Sequence, residues 1–156
     1  MKVYNYDIVF REFPNETTLA LNISGCPCGC AGCHSKYLAE DIGTEVTRDF
    51  IHHIVLDNRG ITCLGIMGGD ADFKMVENIS IWAHEANPDL KIGWYSGRDE
   101  IPPFFRIKLF DYIKIGRYDK DKGPLTSKTT NQKMYAIWRD ENGEVDCIED
   151  ITNKFH

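Results

Sequence analysis

Ile61-Thr-Cys-Leu-Gly-Ile-Met67 is a nearly continuous apolar run, and it ends abruptly in Gly68-Gly69-Asp70. A strand with so little polar alternation is covered on both faces, as in parallel sheets flanked by helices. The flanks agree. Before the run, Phe50, Ile51, Ile54 and Val55 recur at helical spacing, with Thr47 as N-cap, Asp49 in the first turn and Gly60 as the stop. After it, Asp72 caps a helix whose Val76, Ile79, Ala83 and Ala86 share a face, and Pro88 ends it. Leu90–Tyr95 is the next strand, closing at Ser96-Gly97. Asp111–Ile115 is another, with a short helix from Pro102 to Leu109 between them.

Alternating strands and helices imply parallel pairing with right-handed crossovers. There are too few such units for an eight-stranded barrel. The expected fold is therefore α/β, an open partial (β/α) barrel with a mainly parallel, curved sheet. Residues 3–10 add a strand at an edge, and residues 18–24 alternate as a further strand. Asn142-Gly143 between Met134–Trp138 and Glu144–Ile148 predicts a C-terminal hairpin. Residues 117–133 form a long polar loop, a length usually tied to function.

With 156 residues, the chain is expected to form one compact domain over residues 1–156. Apolar residues make up 42% and charged residues 27%, which excludes a disordered chain. The net charge is −6 and no basic cluster is present, so no nucleic-acid partner is expected. No apolar run approaches the roughly 20 residues that cross a bilayer, and the N-terminus lacks a signal-peptide core. A cytoplasmic, reducing compartment is the expectation.

The strand at 18–24 runs directly into Cys26-Pro-Cys28-Gly-Cys30-Ala-Gly32-Cys33, which holds four of the six cysteines. Ligand sites in α/β proteins gather at the carboxyl ends of strands. Thiolates are soft ligands suited to zinc, copper(I) or iron–sulfur clusters. Cys26, Cys30 and Cys33 have the spacing C-x3-C-x2-C. Three cysteines on a four-iron cluster leave one iron open to an outside ligand, whereas electron-transfer clusters use four. Including Cys28 would instead give a closed zinc or iron–sulfur site. Cys63 and Cys147, far from the loop, are read as core residues. His52 and His53 have no partners at metal-ligand spacing and are read as surface or boundary residues. Gly68 and Gly69 leave backbone groups open to a ligand, and Asp70 offers a carboxylate for an ammonium group. Ser96 is a candidate polar contact at a third strand end, whereas Trp94 reads as core.

Taken together, Ser24-Gly-Cys26 with Cys30 and Cys33, Met67-Gly-Gly-Asp70, Trp94-Tyr-Ser-Gly97, Tyr112-Ile-Lys-Ile-Gly116 and Thr130-Asn-Gln132 resemble a known family. The chain is similar, over nearly its whole length, to the anaerobic ribonucleoside-triphosphate reductase activating proteins. These are small members of the radical S-adenosylmethionine (radical SAM) superfamily.

The resemblance implies a [4Fe–4S] cluster on Cys26, Cys30 and Cys33 and S-adenosyl-L-methionine chelated to its unique iron. Gly68, Gly69 and Asp70 correspond to the segment that holds the methionine end. Gly32, His34 and Ser96 complete the cofactor-binding candidates. His34 departs from the family, which usually has an aromatic residue there, and Cys28 has no ligand role in the family spacing. The turn Phe13-Pro-Asn-Glu-Thr17 replaces a glycine-rich one.

The implied activity is reductive cleavage of S-adenosylmethionine to generate a glycyl radical on a protein substrate, the anaerobic reductase, with electrons from an external one-electron donor. The polar loop at 117–133, with Asn131 and Gln132, is a candidate docking element. The alternatives are an activase for another glycyl-radical enzyme, a small radical SAM synthase, or a zinc-binding interaction module built on all four loop cysteines.

Overall fold

The computed structural model describes residues 1–156 and contains eight strands and two α-helices. The strands are β1 (Lys2–Val9), β2 (Thr18–Ile23), β3 (Thr44–Glu45), β4 (Cys63–Met67), β5 (Lys91–Tyr95), β6 (Tyr112–Ile115), β7 (Lys133–Arg139) and β8 (Val145–Asp150). The helices are α1 (Arg48–Asp57) and α2 (Phe73–Ala86). Both begin as their N-cap chemistry dictates. Thr47 Oγ1 accepts from the Phe50 N–H at 3.1 Å, and Asp72 Oδ1 accepts from the Met75 N–H at 3.0 Å.

All eight strands join one open sheet in the order β3-β1-β2-β4-β5-β6-β7-β8. The middle four, β2, β4, β5 and β6, are parallel neighbours. The expectation of a mainly parallel sheet needs correction. Of seven pairings, three are parallel and four are antiparallel. The cause lies in the connections. Parallel neighbours require a crossover, and only two α-helices are long enough to make one well. The chain's two ends instead fold back directly, β1 onto β2 and β7 onto β6 and β8, and direct returns are antiparallel.

The core lies on the helix side of the sheet. Leu21, Ile23, Leu64, Ile66 and Ile92 from the strands meet Ile51, Ile54, Val76 and Ile79 from the helices. Trp94 belongs to it, fully buried and stacked on Phe105 at 4.5 Å. On the opposite face a smaller cluster forms around Phe13, Cys63 and Met134. Cys63 is buried as expected, but Cys147 is exposed. β8 is an edge strand with its side chains in solvent, so an apolar-looking position there has nothing to pack against. His52 and His53 lie on the outer side of α1 and pair with Glu85 and Asp57. No helix is long and apolar enough to cross a membrane.

Candidate functional site

Because β2, β4, β5 and β6 run in one direction, their carboxyl ends present four successive loops at one rim of the sheet. The first is the cysteine loop. Its start is fixed by backbone bonds from Gly25 N–H to Glu40 O at 3.0 Å and from Cys26 N–H to Leu38 O at 2.9 Å. The Cys33 N–H donates to Cys30 O at 3.2 Å, closing a tight turn between the second and third cysteines. The Ser35 N–H donates to Cys33 Sγ at 3.4 Å.

The second loop is Gly68-Gly69-Asp70. Both glycines have positive φ, 110° and 94°, which a side chain rarely tolerates. Gly68 is committed to its neighbour: its N–H donates to Tyr95 O at 3.0 Å, and its carbonyl accepts from Trp94 Nε1 at 2.8 Å. The amides of Gly69 and Asp70, by contrast, make no hydrogen bond within the chain. Two adjacent N–H groups after the strand are therefore left unpaired within the chain.

Asp70 is the centre of the rim and only 3% exposed. Its Oδ1 accepts from Ser96 Oγ at 2.5 Å and its Oδ2 from the Gly97 N–H at 2.8 Å, both from the third loop. Its Oδ2 also accepts from the Cys28 thiol at 3.6 Å. Burial, the Asp70 carboxylate and Cys26 push the Cys28 thiol up to about 12. Cys28 is thus a neutral thiol seated against Asp70.

The fourth strand contributes a residue that sequence reasoning passed over. Lys114 is buried on β6, with its Nζ 3.1 Å from Gly116 O and above the Tyr95 ring. Burial lowers its ammonium to about 8, against the pull of Asp70, Cys30, Cys28 and Glu12. A lysine within an apolar strand was the available signal, since an ammonium is rarely buried without a partner. Gln132 Nε2 reaches the same Gly116 carbonyl at 3.3 Å, which brings the end of the 117–133 loop to the rim. Asn131 leaves a buried Oδ1 without a donor. The loop also packs on the cysteines: a Cβ at Gly32 would lie 3.3 Å from Lys120 Cβ.

Of the sequence-derived candidates, Asp70 and Ser96 are in contact at this rim, Gly68 and Gly69 lead into them, and the loop carrying Cys26, Cys30 and Cys33 meets Asp70 through Cys28. His34 does not join them. It is exposed, and its Nδ1 is 2.8 Å from Ser35 Oγ. All four loop cysteines are free and partly exposed. No three His, Cys, Asp or Glu side chains are gathered closely enough to hold a metal ion. The donor set fits a thiolate-bound centre in kind, with three soft ligands on one short loop. Holding one requires the three sulfurs to converge.

A cavity of about 880 Å³ lies at the other end of the sheet, beside Lys91, Tyr112 and Arg139. Two of its carboxylates are already paired. Glu16 accepts from Lys91 Nζ at 2.5 Å, Thr62 Oγ1 at 2.6 Å and Tyr112 OH at 3.0 Å. Asp111 is taken by Arg139 and the Ile92 N–H. These pairings tie Glu16 and Asp111 to the strands at the base of the sheet. Comparison with protein-family models, curated proteins and solved structures gave no match.

Proposed function

We propose that the chain is a radical SAM activase acting on anaerobic ribonucleoside-triphosphate reductase. The observation that carries this reading is the meeting of the cysteine loop with buried Asp70, marked by Cys28 Sγ 3.6 Å from Asp70 Oδ2. Soft ligands for iron and an acceptor for an ammonium group lie side by side at the ends of parallel strands. The four parallel strands with α1 and α2 are, in this reading, the kernel of a partial barrel.

Cys26, Cys30 and Cys33 would hold a [4Fe–4S] cluster with one iron open to an outside ligand. Asp70, held by Ser96 and Gly97, would receive the ammonium of S-adenosylmethionine. The free amides of Gly69 and Asp70, with Lys114, would face its carboxylate. When bound, the cluster supplies one electron to the sulfonium, chemistry that ends in hydrogen abstraction from a glycine of the protein substrate. The chain's own residues bind and orient. Ser96 fixes the Asp70 carboxylate, Cys28 shields it from solvent, and Gln132 anchors the loop that covers Gly32. The partner closes the exposed rim.

Anaerobic incubation of the iron-loaded chain with S-adenosylmethionine and a one-electron reductant tests the reading. Release of 5′-deoxyadenosine supports it, and a glycyl radical signal on added reductase assigns the partner. 5′-Deoxyadenosine without that signal keeps the chemistry and moves the partner to another glycyl-radical enzyme. A chain purified without air that carries one zinc and no iron overturns the proposal.

A further inference from the structure

Asn142-Gly143 closes the β7–β8 hairpin at the base of the sheet, away from the cysteine rim. The turn is set by Asp140. The Gly143 N–H donates to Asp140 O at 3.0 Å, with Glu141 and Asn142 as the central residues, and Gly143 stands at φ 77°. This is a β-turn followed by a left-handed residue, rather than a two-residue Asn-Gly turn. The Asp140 carboxylate ties it down. Its Oδ1 accepts from the Asn142 N–H at 2.8 Å and from the Glu144 N–H at 3.0 Å. The Asp140 N–H donates to Glu144 O at 2.9 Å across the neck.

Asn142 differs from the other asparagines. Nine are present, and it alone precedes glycine. The side chains of Asn22, Asn58, Asn87 and Asn131 are engaged in hydrogen bonds. The side-chain amide of Asn142 makes none within the chain, and the residue is exposed. Gly143 has no side chain to shield its nitrogen, and nothing lies within 4 Å of where a Cβ there would stand.

We infer that Asn142 is a site of spontaneous deamidation and that Asp140 restrains it. The Gly143 nitrogen gives up its proton and bonds to Asn142 Cγ. The Cγ–Nδ2 bond breaks and ammonia leaves, which closes a succinimide ring. Water then opens the ring. Cleavage of the new bond to Cγ gives aspartate. Cleavage at the main-chain carbonyl carbon gives isoaspartate, with one more atom in the backbone. No oxidant or reductant takes part. The attacking nitrogen is the one whose proton is held by Asp140 O, so the ring closes only when the turn opens. Both products add a carboxylate beside Asp140, Glu141 and Glu144, and the longer isoaspartate backbone no longer matches the Gly143–Asp140 hydrogen bond. β8 is an edge strand, so the loss loosens one end of the hairpin and leaves the rim in place. The inference is independent of the metal reading of the cysteines.

The test is incubation of the full chain in neutral buffer with a thiol reductant, followed by peptide mapping with mass spectrometry that separates aspartate from isoaspartate. Asn142 is expected to convert before any other asparagine. It is expected to convert more slowly in the folded chain than in the same chain unfolded in guanidinium chloride. Asp140→Ala removes the acceptor for two N–H groups and is expected to raise the folded-state rate roughly tenfold. Asp140→Asn keeps an acceptor oxygen and is expected to stay near the wild-type rate. Far-ultraviolet circular dichroism checks that each variant is folded. Where Asp140→Ala is not, the folded and unfolded wild-type rates decide. Another asparagine converting first overturns the site. Equal rates in the folded and unfolded wild type, or a folded Asp140→Ala no faster than wild type, overturn the restraint.

Discussion

Ser96 Oγ donates to Asp70 Oδ1 at 2.5 Å, tying the end of β5 to the end of β4. The carboxylate's other oxygen is held by the Gly97 N–H at 2.8 Å. A buried carboxylate with two such donors has one orientation, which is what recognition of a single ammonium group requires.

Replacing Asp70 with Asn keeps the shape but removes the charge, and with Oδ1 kept on the Gly97 N–H the new Nδ2 meets Ser96 Oγ, which must give up its own donation to accept. The expected cost is about 1–3 kcal/mol of stability, the penalty of a buried polar group left unpaired. Binding of S-adenosylmethionine should weaken at least about tenfold, or roughly 1.4 kcal/mol. Ser96→Ala should cost about 1 kcal/mol, because the Gly97 N–H remains. Urea titration and equilibrium binding measure both. Binding by Asp70→Asn equal to wild type would remove Asp70 from the site.

Cys28 and its neighbours should separate cleanly. Cys28→Ala removes a thiol that sits on Asp70 and is not one of the three proposed ligands. This variant is expected to keep its iron and sulfide and to cleave S-adenosylmethionine. Cys26→Ala, Cys30→Ala and Cys33→Ala are each expected to lose the cluster. Iron and sulfide analysis after anaerobic reconstitution reads the difference. Loss of iron from Cys28→Ala would replace the three-ligand assignment with a closed four-thiolate site.

Lys114 gives a pH signature. Its ammonium titrates near 8 in the folded chain because burial disfavours the charge, against about 10.4 for a free lysine. The folded pKa is the lower one, so between these values the unfolded chain binds more protons and stability rises with pH. The cost of the buried charge is full below about pH 8 and fades above about pH 10. Lys114→Met escapes that cost, so its stability relative to wild type should fall by about 2–3 kcal/mol between pH 7 and about pH 10. Paired urea titrations of metal-free protein at the two pH values measure it. A constant difference would place Lys114 in contact with solvent.

Much of the parallel kernel was legible because each element carries its own local signal. Thr47 and Asp72 announce the two helices, and the apolar run before Gly68 announces β4. The antiparallel flanks were harder to read. Nothing local in residues 2–9 says that β1 pairs with β2, and a strand as short as Thr44–Glu45 has no periodicity to detect. The segment from Pro102 to Leu109, expected as a short helix, holds only a 3-10 turn at Ile107–Leu109. Phe105 instead turns inward onto Trp94, while Phe104 stays exposed. In the site, the cysteine spacing and the Gly-Gly-Asp turn could be read in sequence. The seating of Cys28 on Asp70 and the burial of Lys114 are long-range facts that no local pattern encodes.

Phe13 is the largest such surprise, and it yields the sharpest packing test. It lies in the β1–β2 connection, where sequence reading saw only an altered turn, yet it is 1% exposed. Its ring stacks on Tyr112 at 5.2 Å and meets Tyr95 edge-on at 5.4 Å. It fits because Gly65 and Gly93 are register partners on β4 and β5 and leave a flat patch without side chains. A Cβ at Gly93 would overlap the Phe13 ring, and one at Gly65 would crowd its edge at 3.1 Å. Glycine inside a strand often marks such close approach. Gly93→Ala should therefore cost about 1–3 kcal/mol through overpacking, despite adding a methyl group to a buried strand. Phe13→Ala should cost about 3–5 kcal/mol through the cavity it leaves. Phe13→Leu with Gly93→Ala relieves the overlap, so the double variant should be more stable than the sum of the single changes by roughly 0.5–3 kcal/mol. Strict additivity in urea titrations would show that the ring does not rest on Gly93.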